Sequence, residues 1–166
     1  MFVNIKRFIG NKLQSLFPSS CYRYRRVILK FMEVSLVASS KINIGFKVYG
    51  PGKVEIGENT WIGPNCHIYT AQEKGVSIGK NCDIAPEVTF ICGSHEIGNK
   101  DRMAGKGVAH SITVEDGTWI CARSTIMCNQ ISASSIIGAC SVVLEDVPSG
   151  VLFAGNPAKE KKQYKE

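Results

Sequence analysis

Aliphatic or aromatic residues recur every six positions through most of the chain. One set is Ile56, Ile62 and Ile68, and a second is Ile78, Ile84 and Phe90. A third is Val114, Ile120 and Ile126, and the last runs Ile131, Ile137 and Val143. Two positions before each stands a mostly small or β-branched residue, such as Val54, Thr60 and Cys66 in the first set and Asn129, Ser135 and Ser141 in the last. A period of six is neither the helical 3.6 nor the simple alternation of a long strand. It fits a short strand followed by a corner, three such units making one triangular coil. Stacked coils pair strand on strand, large aliphatics fill the middle, and only the end coils present unpaired edges. An earlier and weaker turn, KINIGFKVYG, places Ile44 in phase.

Three breaks interrupt the period. Ten residues separate Ile68 from Ile78, so YTAQEKG bulges out, and only five separate Ile126 from Ile131, so one corner is tightened. The largest break is FICGSHEIGNKDRMAGKGVAHSI, in which residues 92–111 leave the coil as a protruding loop. Loops longer than ~12–15 residues without structure of their own are functional or disordered. Ahead of the repeats, Phe2, Ile5, Phe8, Ile9, Leu13 and Leu16 follow helical spacing up to Pro18, and a second helix is predicted from about Tyr22 to Val37. The reading divides the chain into a basic helical segment (1–40), an all-β coil region (41–147) and an irregular tail (148–166).

With 166 residues, 44% of them hydrophobic, and a mean hydropathy of −0.01, the composition is that of one soluble globular domain. No apolar run approaches the ~20 residues needed to span a bilayer. The run VILKFMEVSLVA is interrupted by Lys30 and Glu33. Seven cysteines without CxxC spacing read as reduced, buried residues and point to a cytoplasmic location. Charge is unevenly placed. Residues 1–40 hold seven basic residues and one acid, whereas residues 41–166 hold thirteen of each, so the net charge of +6 lies in the N-terminal quarter. That segment either caps the exposed edges of the first coil, the preferred reading, or meets an anionic membrane surface. No nucleic-acid-binding motif accompanies the charge.

The repeats, together with GSH, TWI, IGACSVV and AGNPAK, resemble the hexapeptide-repeat acyltransferases over roughly residues 41–162. The likeness is greatest to the sugar and polysaccharide O-acetyltransferases of the maltose and galactoside type. The resemblance implies a left-handed parallel β-helix, a homotrimer, acetyl-CoA as co-substrate held between neighbouring prisms, and a sugar or glycan acceptor. It implies no metal, since the three histidines lack the close spacing of the zinc-dependent branch.

His95 matches the family's histidine at the start of a protruding loop and is the candidate general base, a role suited to an imidazole of pKa ~6.5. Glu96 or Asp83 would orient it or meet the acceptor. The hexad register stacks Asp83 between Trp61 and Trp119. His67 falls where the galactoside branch places an acceptor-binding asparagine. His110 reads as structural, and Arg102 and Lys106 as loop cations. On the CoA side the resemblance points to Trp119, the backbone at Ala122 and Ala139, and Lys159. Cys121 and Cys140 stand where the family often has glycine, and Glu145 where it often has lysine, which removes one phosphate contact. No cysteine has a base at recognisable spacing, so direct attack is expected. The alternatives are transfer to serine or an amino sugar, and a β-helix module without activity.

Overall fold

The computed structural model describes residues 2–164. Short parallel strands stack into a three-faced solenoid. The first face carries Val34–Leu36, Val54–Ile56, Val76–Ile78, Ile112–Val114 and Gln130–Ile131, each paired in register with the coil below. The second face runs from Lys41–Ile42 through Trp61–Ile62, Asp83–Ile84, Trp119–Ile120 and Ile136–Ile137 to Val151–Gly155. The third face stacks Lys47–Tyr49, His67–Tyr69, Thr89–Ile91, Thr125–Ile126 and Val142–Val143. All twelve residues of the hexad series are buried. So are Cys66 and Cys82 among the small inward positions.

Two of the three corners repeat one backbone device. Asn59, Asn81, Gly117 and Ser134 at the first corner have left-handed φ, as do Gly45, Asn65, Glu87, Arg123 and Cys140 at the second. Asparagine tolerates that conformation better than most side chains do, and glycine adopts it freely. The N–H of Asn81 donates to Glu58 O (2.8 Å), that of Gly117 to Lys80 O (2.9 Å), and that of Cys140 to Ala122 O (2.9 Å). These corners are therefore locked coil to coil. The third corner has no such ladder, and both long insertions leave from it: residues 70–75 and residues 92–111.

The structure corrects several expectations. Ile42, not Ile44, is in phase, pairing with Ile62 while Ile44 is only partly covered. At the tightened corner Cys128 is buried and Asn129 is exposed, because the shortened coil brings the inward position forward by one. Residues 92–111 are not an irregular loop. Gly93–Asn99 and Arg102–Ala109 pair as an antiparallel hairpin, turned by Asn99, whose Oδ1 accepts from Asp101 N (3.0 Å) and Arg102 N (3.1 Å). The tail is likewise ordered: Val151–Gly155 adds to the second face and Ala158–Gln163 folds back along it.

Helix α1 spans Phe2–Gln14 and α2 spans Tyr22–Phe31. The second helix stops short of Val37 because Val34–Leu36 is already the first strand of the solenoid, entered through Glu33 with φ of 61°. The helices sit against the first coil in an inverted sense. Arg7, Gly10, Asn11 and Gln14 face inward, while Ile5, Ile9 and Leu13 are exposed on the opposite side of α1, as is Leu16 just beyond it. The first coil ends in unpaired backbone groups, and polar side chains satisfy them. Asn11 Nδ2 donates to Val48 O (2.9 Å) and its Oδ1 accepts from Val48 N (3.1 Å), as the next strand would. Arg7 donates to the carbonyls of Met32, Gly50 and Gly52. Arg25 reaches Ile42 O (3.2 Å) and ties down Phe17 O (2.8 Å). The N-terminal segment caps the coil through hydrogen bonds.

Candidate active site

The second corner gathers residues far apart in sequence. Ala122 and Ala139 are stacked there, linked by the Cys140 N–H to Ala122 O bond. Among the described residues neither alanine's N–H donates a hydrogen bond, which leaves two backbone donors without an internal partner beside methyl-sized side chains. Cys140, the family's glycine position, takes the left-handed φ of 56° that glycine would adopt without strain. Next to this corner, on the second face, Trp119 is 50% exposed. Lys159 lies on the outermost strand of that face. Its Nζ contacts Glu145 Oε1 at 2.6 Å. Glu145 thus does more than omit a phosphate contact, because it engages Lys159, a residue the resemblance places on the CoA side.

Asp83 is exposed on the same face. Its strand pairs with both Trp61 and Trp119, which places it between the two indoles. A shallow groove of about 310 Å³ below it is lined by Ser39, Lys41, Asn59, Thr60, Trp61 and Asp83. An indole beside a carboxylate offers a stacking surface and a hydrogen-bond acceptor together. The groove's Ser39 and Lys41 were not singled out by the sequence pattern, although Lys41 pairs with Trp61 as its lower neighbour.

His67 lies on the third face above Lys47. Its ring meets Tyr49 and Tyr69 edge-on, each at 6.3 Å, while the two tyrosines stack at 4.9 Å. Burial first, and then the Lys47 charge, lower its pKa, which keeps the imidazole neutral at neutral pH and able both to donate and to accept. The tyrosine pair was missed by sequence reasoning, although each Tyr stands two residues past its stacked partner position, Lys47 or His67.

His95 is exposed on the first strand of the hairpin, opposite Gly107. The hairpin register slips between His95 and Ile97, leaving Glu96 in the bulge. Neither Glu96 nor Asp83 bonds to His95 among the described residues. His95 leaves from the third corner, whereas Trp119, Ala122, Ala139 and Lys159 belong to the second face or second corner. One copy of the chain does not bring the two sets together. His110 closes the hairpin base through its N–H to Cys92 O (2.9 Å), and Arg102 and Lys106 lie on the hairpin's second strand. Among the described residues no group of three histidine, cysteine or acidic side chains has metal-binding geometry.

The cysteines are all free. Burial pushes the Cys66 and Cys92 thiols up to about 11 and that of Cys128 up to about 12. Burial also raises Cys82 and Cys121. Such thiols are protonated at neutral pH and poor nucleophiles.

The fold recurs in known proteins. A hexapeptide-repeat acetyltransferase from Vibrio cholerae O1 biovar eltor, solved with acetyl-CoA, superimposes with a TM-score of 0.76 over 99% of this chain and 88% of that one, at 22% identity. A maltose O-acetyltransferase from Clostridium difficile 630 gives 0.74 over 99% and 89%, at 23% identity. In sequence, galactoside O-acetyltransferase of Escherichia coli K12 is 30% identical over 125 residues. The chain is a hexapeptide-repeat β-solenoid, a fold it shares with these acetyltransferases. No family model matches it. The match to the Escherichia coli enzyme covers 63% of this hexapeptide-repeat chain and 61% of that enzyme, so the chain spans about three fifths of the length of the curated relatives it matches.

Proposed function

We propose that the protein is an acetyl-CoA-dependent O-acetyltransferase acting on a sugar or polysaccharide-precursor hydroxyl. The observation that carries this reading is the pair of undonated N–H groups at Ala122 and Ala139 beside Trp119, in a fold shared with an acetyl-CoA complex. A pantetheine arm is a secondary-amide chain, and backbone donors flanked by small side chains suit it. The acceptor hydroxyl attacks the thioester carbonyl while the His95 imidazole takes its proton. The tetrahedral oxyanion then expels the CoA thiolate, which recovers the proton from the imidazolium. Asp83, His67 and Glu96 are the acceptor-binding or orienting candidates, and Trp119, Ala122, Ala139 and Lys159 the cofactor-side ones. The raised thiol pKa values favour direct attack over an acyl-cysteine.

A site containing both His95 and the second corner needs two copies of the chain, which supports a homotrimer with clefts between prisms. The hairpin carries exposed apolar residues suited to such a contact, with Ile97 86% exposed. Among the described residues no helix is long and apolar enough to cross a membrane. The free, largely buried cysteines favour a cytoplasmic location.

The test is thiol release from acetyl-CoA across a glycan panel that also contains serine and amino sugars. Activity with a sugar hydroxyl, lowered about 10²–10⁴-fold in kcat/KM by His95→Ala with the oligomer intact, is the expected result. Turnover unaffected by His95→Ala overturns the assignment of the base. Turnover with serine or an amino sugar alone overturns the acceptor class, and no release with any acceptor identifies a non-catalytic module.

A further inference from the structure

Helix α1 is amphipathic, yet its apolar side is the one turned away from the protein. Phe2, Ile5, Phe8, Ile9, Leu13 and Leu16 are all exposed, Phe8 by 67% and Leu16 by 73%. Their spacing makes one stripe along the helix, opposite the inward Arg7, Asn11 and Gln14. The stripe continues onto α2. Phe17 stacks on Tyr24 at 5.7 Å with nearly parallel rings, and Tyr24, Val27 and Phe31 form an exposed row at helical spacing.

Cations flank this surface. Lys12 lines a groove between α1 and the first coil with Phe8 and Lys47, and Arg23, Arg26 and Lys30 surround Tyr24 and Val27 in a groove of about 450 Å³. Two of the segment's seven cations, Arg7 and Arg25, are spent on capping, and Lys6 pairs with Glu33, its only acid. The remaining four have no acidic partner among the described residues.

We infer that the outward face of α1 and α2 docks on an anionic bilayer surface, the apolar stripe entering the headgroup boundary and Lys12, Arg23 and Lys30 meeting lipid phosphates. Such a surface supplies what the face lacks, an apolar medium rimmed by negative charge. A second copy of the chain supplies it less well. Two copies related face to face oppose like charges. The rest of the chain is neutral as a whole, and three of its acids, Glu55, Glu87 and Glu145, are already paired with cations of their own chain. Lysine and arginine stems can lie along the apolar stripe while their heads reach the phosphates.

The experiment is co-sedimentation of the full chain with phosphatidylcholine vesicles, with and without phosphatidylglycerol, at low and high salt. Binding to the anionic vesicles only, weakened by salt, is expected. Lys12→Gln with Lys30→Gln lowers the partition coefficient about 30-fold, the loss of two cations near an anionic surface. Ile9→Glu with Leu13→Glu lowers it at least about tenfold. The Gln pair lies on the surface and keeps the test decisive if the Glu pair misfolds. Three results overturn the inference: no binding to anionic vesicles, binding that ignores the Lys12→Gln/Lys30→Gln change, or a smaller oligomer on sizing for Ile9→Glu/Leu13→Glu, which would make the face a contact between copies.

Discussion

Phe90 and Arg7 are equally hidden from solvent, at 1% and 2% exposure, but one fills the middle of a coil and the other closes its end. In mid-solenoid every strand finds backbone partners in the coils above and below, so an inward side chain has only to fill space, and the hexad is apolar. At the first coil no lower neighbour exists. Carbonyls at Val48, Gly50 and Gly52, and the Val48 N–H, would be left without partners. A buried unpaired backbone group costs about 1–3 kcal/mol. A guanidinium with five donors, or an amide that both gives and accepts, serves that surface better than a leucine does. Burial alone therefore does not select apolar side chains. What the covered surface still needs selects them.

The comparison is broken most severely in mid-coil. Phe90→Ala empties a ring-sized space in a ladder bounded by Ile68 below and Ile126 above, where paired strands restrict collapse. A loss of about 3–5 kcal/mol in guanidinium unfolding is expected. Arg7→Met tests the other end. It keeps the volume and adds apolar surface, which would be harmless or stabilising if α1 packed by hydrophobic contact. With the cap working through hydrogen bonds, it strands the carbonyls of Met32, Gly50 and Gly52 and costs about 2–3 kcal/mol. A Met variant as stable as the parent would mean that water reaches these carbonyls and that the end of the coil needs no cap.

The contrast also explains what could be read from sequence. The hexad identified nearly every core position from Val54 to Val143, because within the stack each side chain answers to one local rule. It failed at the boundaries. Ile44 for Ile42 and Asn129 for Cys128 are slips at the first coil and at the shortened corner, where the period itself changes. The inverted α1 was illegible because amphipathic spacing marks two faces without saying which faces the protein, and the usual presumption fails against a strand edge. The hairpin at residues 92–111 lacks strong alternation, and its pairing depends on Asn99 making the turn. In the candidate site, the motif located His95 and the Asp83 column, while the ion pair between Lys159 and Glu145 needed the fold-back of the last strand. That His95 leaves from the third corner while Trp119 lies on the second face follows from the coil geometry and not from any local motif.

The smallest expected effect sharpens the comparison from the outer side of the cap. Ile9 and Ile120 are the same residue type on opposite sides of the rule: Ile120 is sealed in the ladder, and Ile9 stands in the exposed stripe of α1. Ile9→Ser removes an apolar side chain that is 41% exposed in its own chain. The unfolding free energy should move by no more than about 0.5 kcal/mol, the range for surface positions away from caps and networks. Little of even that change would arise from helix propensity, since both residues rank alike there. A loss several times larger would show that the stripe is already covered in the purified protein. Because the cap's inward face is fully occupied by Arg7, Asn11 and Gln14, such cover would have to come from outside the fold, and sizing the variant would tell whether another copy provides it.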